Sequence, residues 1–270
     1  MAQITQNLTQ SKITTVLSFA FSVFGIFTYF LFGHFGAHYE TPFSSSLVII
    51  FIYWIVALIS QLFFIIKVFF DFDVPTEEEL YVLQTSGNYF AVNNMLTFFW
   101  TYFFAQENFI LSEVILFVNL ANLLLLYVTK KTVDVKHIYD WFSVHFAITG
   151  LPLAWTLYAI FWNGAALFHS HNESLAARII ANVLIWVFFL VPYFMLAVYN
   201  DAAVSLATSF LMLGVGFGQL SIKVVALQWI FAFVISGIDF VGALYGLYNV
   251  YNQFTGNAPS SGENAPLLSA

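Results

Sequence analysis

Cysteine is absent from the 270 residues, and arginine occurs once, as Arg178. The first absence excludes disulfides, zinc–thiolate sites and thiol catalysis. Charge is the second shortage: seven basic and fourteen acidic side chains make up 8% of the chain, where soluble domains carry roughly 25%. So few charges cannot cover the surface of a water-soluble globule, and a mean hydropathy of +0.86 points the same way. Seven scattered cations also cannot form a phosphate-neutralising stripe, which excludes a nucleic-acid binder. The sequence carries no HExxH, nucleophile elbow or Ser-His-Asp arrangement, so neither a catalytic site nor a cofactor is expected.

What is abundant is apolar: 61% of residues are hydrophobic and 20% aromatic, making lipid the expected solvent. In lipid only a helix or a closed barrel satisfies every backbone group, and a helix needs about 20 apolar residues to cross. The apolar runs are continuous rather than alternating, which excludes the barrel. Eight runs qualify, at 13–33, 46–70, 90–105, 109–128, 139–168, 179–199, 202–220 and 222–250. The expected fold is all-α, a polytopic transmembrane helical bundle of about eight spans. Residues 1–12 form a tail, 13–250 the membrane domain, and 251–270 a disordered tail too poor in apolar residues to offset its chain entropy. The run 90–105 is the weakest, being short and carrying Asn93 and Asn94 together, so it either crosses or re-enters. Runs 202–220 and 222–250 nearly touch, as a tight hairpin or one broken span.

With eight spans, Lys12, Lys67, Lys130, Lys131 and Lys136 fall on one side, and Arg178 and Lys223 on the other. The excess of cations in cytoplasmic loops then places both termini in the cytosol. Asn172-Glu173-Ser174 falls in a lumenal loop, making Asn172 a candidate N-glycosylation site, whereas Asn7-Leu8-Thr9 stays cytosolic. In the C-terminal tail, Glu263 followed by Leu267 and Leu268 has the acidic dileucine form that clathrin-type adaptors bind from the cytosol. That points to an endomembrane location, a vacuole- or lysosome-like compartment first and the plasma membrane second. An apolar accident near the chain end is the competing explanation.

An ionisable group inside a bilayer costs about 2.5–3.5 kcal/mol on insertion scales, so Asp239, well inside the last run, is the clearest candidate for function. His145 lies six residues into the fifth run, and Gln61, Asn93, Asn94, Asn119 and Asn122 map to the middle or inner half of theirs. They form one polar layer with two readings. It is a proton or solute path, with Asp239 titrating and His145 relaying. Alternatively, and preferred, amides and hydroxyls bond the helices together at about 0.6–2 kcal/mol each. His169, His171 and Glu173 are metal-ligand types, but residues two apart on a helix diverge, and no metal is expected. Lys223 stands at the end of a run, where a long side chain snorkels, which excludes a retinal-type lysine. Gly214/Gly218 and Gly242/Gly246 are GxxxG pairs and predict close helix packing.

Several strings carry a resemblance: Thr41-Pro42-Phe43 leading to Ile52-Tyr53-Trp54-Ile55-Val56, Pro152-Leu153-Ala154-Trp155, Trp162-Asn163-Gly164-Ala165, Leu175-Ala176-Ala177-Arg178-Ile179 and Gln228-Trp229-Ile230-Phe231-Ala232-Phe233. They resemble a fungal family of multi-pass membrane proteins of unknown function. The likeness covers roughly residues 40–240, is more specific in its second half, and leaves both tails outside. It implies a fungal source and endomembrane residence, with no assigned activity or site residues. Some members bear an ATP synthase F0 label, but an F0 channel needs an intramembrane Arg facing a ring carboxylate, and Arg178 lies at a span boundary. The leading expectation is a non-enzymatic membrane protein with a structural, scaffold or trafficking role. Its partners are membrane lipids and an adaptor at the tail. The alternative is a proton-coupled small-solute transporter using Asp239.

Overall fold

The computed structural model describes residues 2–31, 40–70, 77–130, 141–168, 175–199, 201–222 and 227–255, and these are helical with short connections. Helix α1 (Ala2–Gly25) continues as a π-helical turn, Ile26–Leu31. Then come α2 (Leu47–Phe70), α3 (Glu77–Ala105) and α4 (Phe109–Lys130). Helix α5 (Leu151–Leu167) follows directly on a π-helical stretch, Trp141–Gly150. The remainder is α6 (Leu175–Leu184), α7 (Val187–Tyr199), α8 (Ala202–Ile222) and α9 (Gln228–Thr255). Asn172, Glu263, Leu267 and Leu268 lie outside the described residues.

Seven described segments are long and apolar enough to cross a membrane, α6 and α7 together supplying one of them as Ile179–Tyr199. Helix α3 misses that set through composition, not length. Its 29 residues run about 43 Å, so it is a full helix extending well before the run 90–105, not a short re-entrant element. It folds back on α4 through a turn at 106–108, where Glu107 takes a left-handed φ of 58°. Cross-contacts fix the directions. Ser11 and Thr15 of α1 approach Gly87 while Thr101 approaches Gly25, so α1 and α3 run parallel. Asn93 meets Asn119, so α3 and α4 run antiparallel. Phe63 of α2 meets Phe142 edge to face, and Ala202 at the start of α8 touches Gly246 late in α9. Helix direction thus alternates, and the start of α1 and the end of α9 share one end of the bundle. Helix α1 begins at Ala2, ahead of its membrane-crossing part, which starts at Gln10. The last two runs are a hairpin of two separate helices, α8 and α9.

Burial sorts the helices into two sets. The segments Trp141–Leu167 and Ala202–Ile222 are 82% and 72% buried over their most apolar windows, against 28–50% for the other crossing segments. The π-helical stretch with α5, and α8, are therefore the inner pair, and the rest form a ring around them. On the ring, side chains such as Val48, Phe63, Ile110, Val128, Val183 and Val241 are more than half exposed. In water such a face would be an untenable apolar surface, whereas in hydrocarbon it matches the solvent.

The inner pair meets where Gly150 ends the π-helical stretch. A Cβ there would lie 2.7 Å from the Ala203 side chain, so only glycine lets the two helices touch. At the other end of the bundle, the segment before α2 is buried and stitched down. Thr41 and Ser44 carbonyls accept from Gln219 Nε2 at 2.9 and 3.0 Å, the Phe43 carbonyl accepts from the Tyr158 hydroxyl at 2.8 Å, and Ser46 N–H donates to the Gly214 carbonyl at 2.9 Å. Gly218 is needed here, because its Cβ would come 2.6 Å from the Ser44 carbonyl oxygen. The Gly214/Gly218 pair therefore receives a loop and the first turn of α2, whereas Gly242 and Gly246 receive Leu196 and Ala202.

Candidate polar site at mid-depth

An amide in a transmembrane helix must point inward, since hydrocarbon offers it no partner. Asn93, Asn94 and Thr97 on α3 obey this, each buried and turned towards α1, α2 and α5. Asn93 and Asn94 stand about 16–18 Å from the α3 C-terminus at 1.5 Å per residue, near the centre of a 30 Å core. Asn119 on α4 bridges the group: its Nδ2 donates to Asn93 Oδ1 at 3.0 Å and to Thr156 Oγ1 on α5 at 3.2 Å. One turn on, Asn122 Nδ2 donates to the Tyr89 carbonyl of α3 at 3.1 Å. Ser22 of α1 and Gln61 of α2 complete the ring of polar side chains.

These groups surround a small void, bounded on its apolar side by Tyr53, Trp54, Leu151, Pro152 and Trp155. It offers about 10 Å³ to the centres of water-sized occupants, about the room of one ordered water. The Tyr53 hydroxyl donates to the Leu151 carbonyl at 2.6 Å where the π-helical stretch gives way to α5. Pro152 explains the change of register at that place, because it supplies no N–H to the turn before it.

The expected single polar layer is divided. Gln61, Asn93 and Asn94 line the void, with Asn119 bonded to its wall and Asn122 beside it. His145 does not join them. Its Nδ1 lies 3.4 Å from Asp201 Oδ2, and Asp201 Oδ1 accepts from the Ala203 N–H at 2.8 Å, capping α8. A cap must sit at a helix terminus, so it holds His145 at the end of the bundle where Tyr127 also engages the Asp201 carboxylate. Asp239 is not on the void either. It is 4% exposed, on the face of α9 that carries the buried Ile235 and Ala243, with Oδ2 unpartnered among the described residues. One turn away, Ser236 and Ser209 trade two hydrogen bonds, hydroxyl to carbonyl each way, at 2.8 and 2.9 Å, tying α9 to α8.

Sequence reasoning missed three groups. Asp201 was legible as a cap immediately before a helix start. Glu113 and Asn163 were legible as polar residues inside apolar runs. Asn163 Nδ2 donates to Glu113 Oε2 at 2.5 Å and to the Phe109 carbonyl at 3.0 Å, while Asn163 Oδ1 accepts from Ser112 at 2.6 Å. This cluster holds α4 to α5 near the opposite end. Among the described residues no three His, Cys, Asp or Glu side chains converge to hold a metal.

Residues 178–268 match the family described as fungal protein of unknown function (DUF1774). The chain thus resembles a fungal family of unknown function. The match covers α6 to α9 apart from the first three residues of α6, and reaches into the C-terminal tail, which the sequence reading had left outside the resemblance. An uncharacterized protein of Schizosaccharomyces pombe is 37% identical over 124 residues, covering 45% of this chain and 42% of that protein. The chain therefore spans less than half the length of this curated relative. No solved structure matches the chain.

Proposed function

We propose that this protein is a non-enzymatic, multi-pass component of a fungal endomembrane with a structural, scaffold or trafficking role. The observation that carries this reading is the use made of the buried polar groups. Asn119 ties α3, α4 and α5 together, Ser209 and Ser236 tie α8 to α9, and the void beside the amides is far too small for a solute such as a sugar or an amino acid. These are the contacts of a bundle held shut. Both termini face the cytosol in this reading, supported by the lysine distribution and by the even alternation of the helices. The acidic dileucine form of Glu263, Leu267 and Leu268 is the ground for an adaptor-read tail and a vacuole- or lysosome-like destination. Replacing Leu267 and Leu268 by alanine in the tagged full-length protein should move it to another membrane in a fungal cell. Unchanged location by fluorescence microscopy would remove the sorting role.

A second reading rests on one observation, the buried Asp239 oxygen without a partner among the described residues. A proton-coupled transporter would use that carboxyl, and Asp239→Asn would then abolish pH-driven solute uptake by vesicles containing the protein. In the structural reading, wild type and Asp239→Asn vesicles both show no uptake above empty vesicles.

A further inference from the structure

The void between α1, α2, α3 and α5 has a donor and acceptor inventory of its own. Asn94 presents both Nδ2 and Oδ1 without a protein partner among the described residues, Gln61 presents Oε1, and Trp54 and Trp155 present their indole N–H groups. Asn94, Gln61, Trp54 and Trp155 are 1%, 3%, 4% and 3% exposed, so lipid and bulk solvent do not reach them. Asn94 keeps one orphaned donor and one orphaned acceptor whichever way its amide is turned. Its occupant must therefore both give and take hydrogen bonds, which excludes a bare cation, and the lining includes no charged side chain to balance an ion of either sign. The room, about 10 Å³, fits one water and excludes larger polar molecules.

From these features we infer that this void is a built internal water site, in which one tightly held water bonds Asn94, Gln61 and the flanking indoles. Its place is also where a water has most to do. Leu151 and Pro152 line it, and Pro152 interrupts the hydrogen-bond ladder of an inner helix there. The water joins Asn94 of α3 to Gln61 and Trp54 of α2 and to Trp155 of α5, beside the direct bond from the Tyr53 hydroxyl of α2 to the Leu151 carbonyl, and so completes the mid-depth connection that Asn119 makes on the other flank.

Radiolytic footprinting tests this on the full-length protein in lipid nanodiscs, using brief X-ray pulses in ¹⁸O-water. Hydroxyl radicals formed from a bound water oxidise the side chains touching it. Trp100 is an internal control, being a 1% exposed tryptophan that does not line the void. Trp54 and Trp155 should be oxidised several-fold more than Trp100, and Asn94→Leu should bring them down to the Trp100 level. The same variant should lower Tm by about 2–4 °C, because expelling the water strands Gln61 and the indoles. Equal labelling of all three tryptophans in the wild type would overturn the inference, and that comparison stands even if the variant does not fold. So would a higher Tm for Asn94→Leu, the mark of a dry cluster relieved of an unpaired amide. A Tm raised by sodium or potassium but not by choline would also overturn it, by showing a cation in the site.

Discussion

Two buried polar regions lie near the middle of the bundle and solve the same problem differently. In the seam between α8 and α9, Ser209 and Ser236 each give a hydroxyl proton to the other's backbone carbonyl, and both accounts close without a third party. Around the void between α1, α2, α3 and α5, side chains from four helices converge, and Asn94, Gln61, Trp54 and Trp155 leave polar atoms open. The seam joins two neighbours along a line. The void gathers elements that are far apart in sequence, and amides of fixed length cannot all reach their opposite numbers. The lesson is that small hydroxyls serve pairwise packing, whereas longer amides serve many-way junctions and leave an interstice.

Three variants sharpen this contrast. The largest effect belongs to Gly150→Val, which forces a side chain into Ala203 and pushes the inner helices apart, disturbing both regions at once. Its cost is about 1–3 kcal/mol or more, read as a lower Tm in detergent or nanodiscs. Next is Asn119→Leu, which removes two hydrogen bonds and strands Asn93 and Thr156, for about 1–3 kcal/mol and a loss confined to the α3–α4–α5 side. Hydrogen exchange should rise in α3 and α4 and stay unchanged along α8 and α9. Smallest is the double change Ser209→Ala with Ser236→Ala. It removes two side-chain donors and leaves no side chain unsatisfied, so it should cost under about 1.5 kcal/mol in all. A cost for the serine pair equal to that of Asn119→Leu would erase the distinction drawn between seam and junction.

Much of this architecture is readable from residue order, because hydropathy reports solvent and lipid leaves little choice of backbone. The seven strongly apolar segments fall close to the runs read from composition. The run 90–105 misleads for a physical reason: Asn93 and Asn94 lower its hydropathy, yet both face inward, and burial in a bundle removes the penalty that composition assigns them. The place of Asp239 inside the last run is legible, but its direction is not, because Ile235 and Ala243 on its buried face and Val234, Ile238 and Val241 on the exposed one are alike apolar. Nor is the fate of His145. Its partner Asp201 lies 56 residues away, and only the packing of α8 on the π-helical stretch brings the two together. Beyond the mark of Pro152 at its end, the order of residues does not disclose that stretch either, because a π register differs from an α register by where each carbonyl finds its donor.

The stitched segment 41–46 has a mechanical consequence. Gln219, Tyr158 and the Gly214 carbonyl anchor it simultaneously to both inner helices, so α2 is riveted to the core at that rim. Rocking of α2 against the inner helices would have to shear four bonds in a single stroke, three of them to α8. A bundle fastened in this manner behaves as a rigid strut, and whatever compliance it has is displaced to its far rim, where the chain ends emerge.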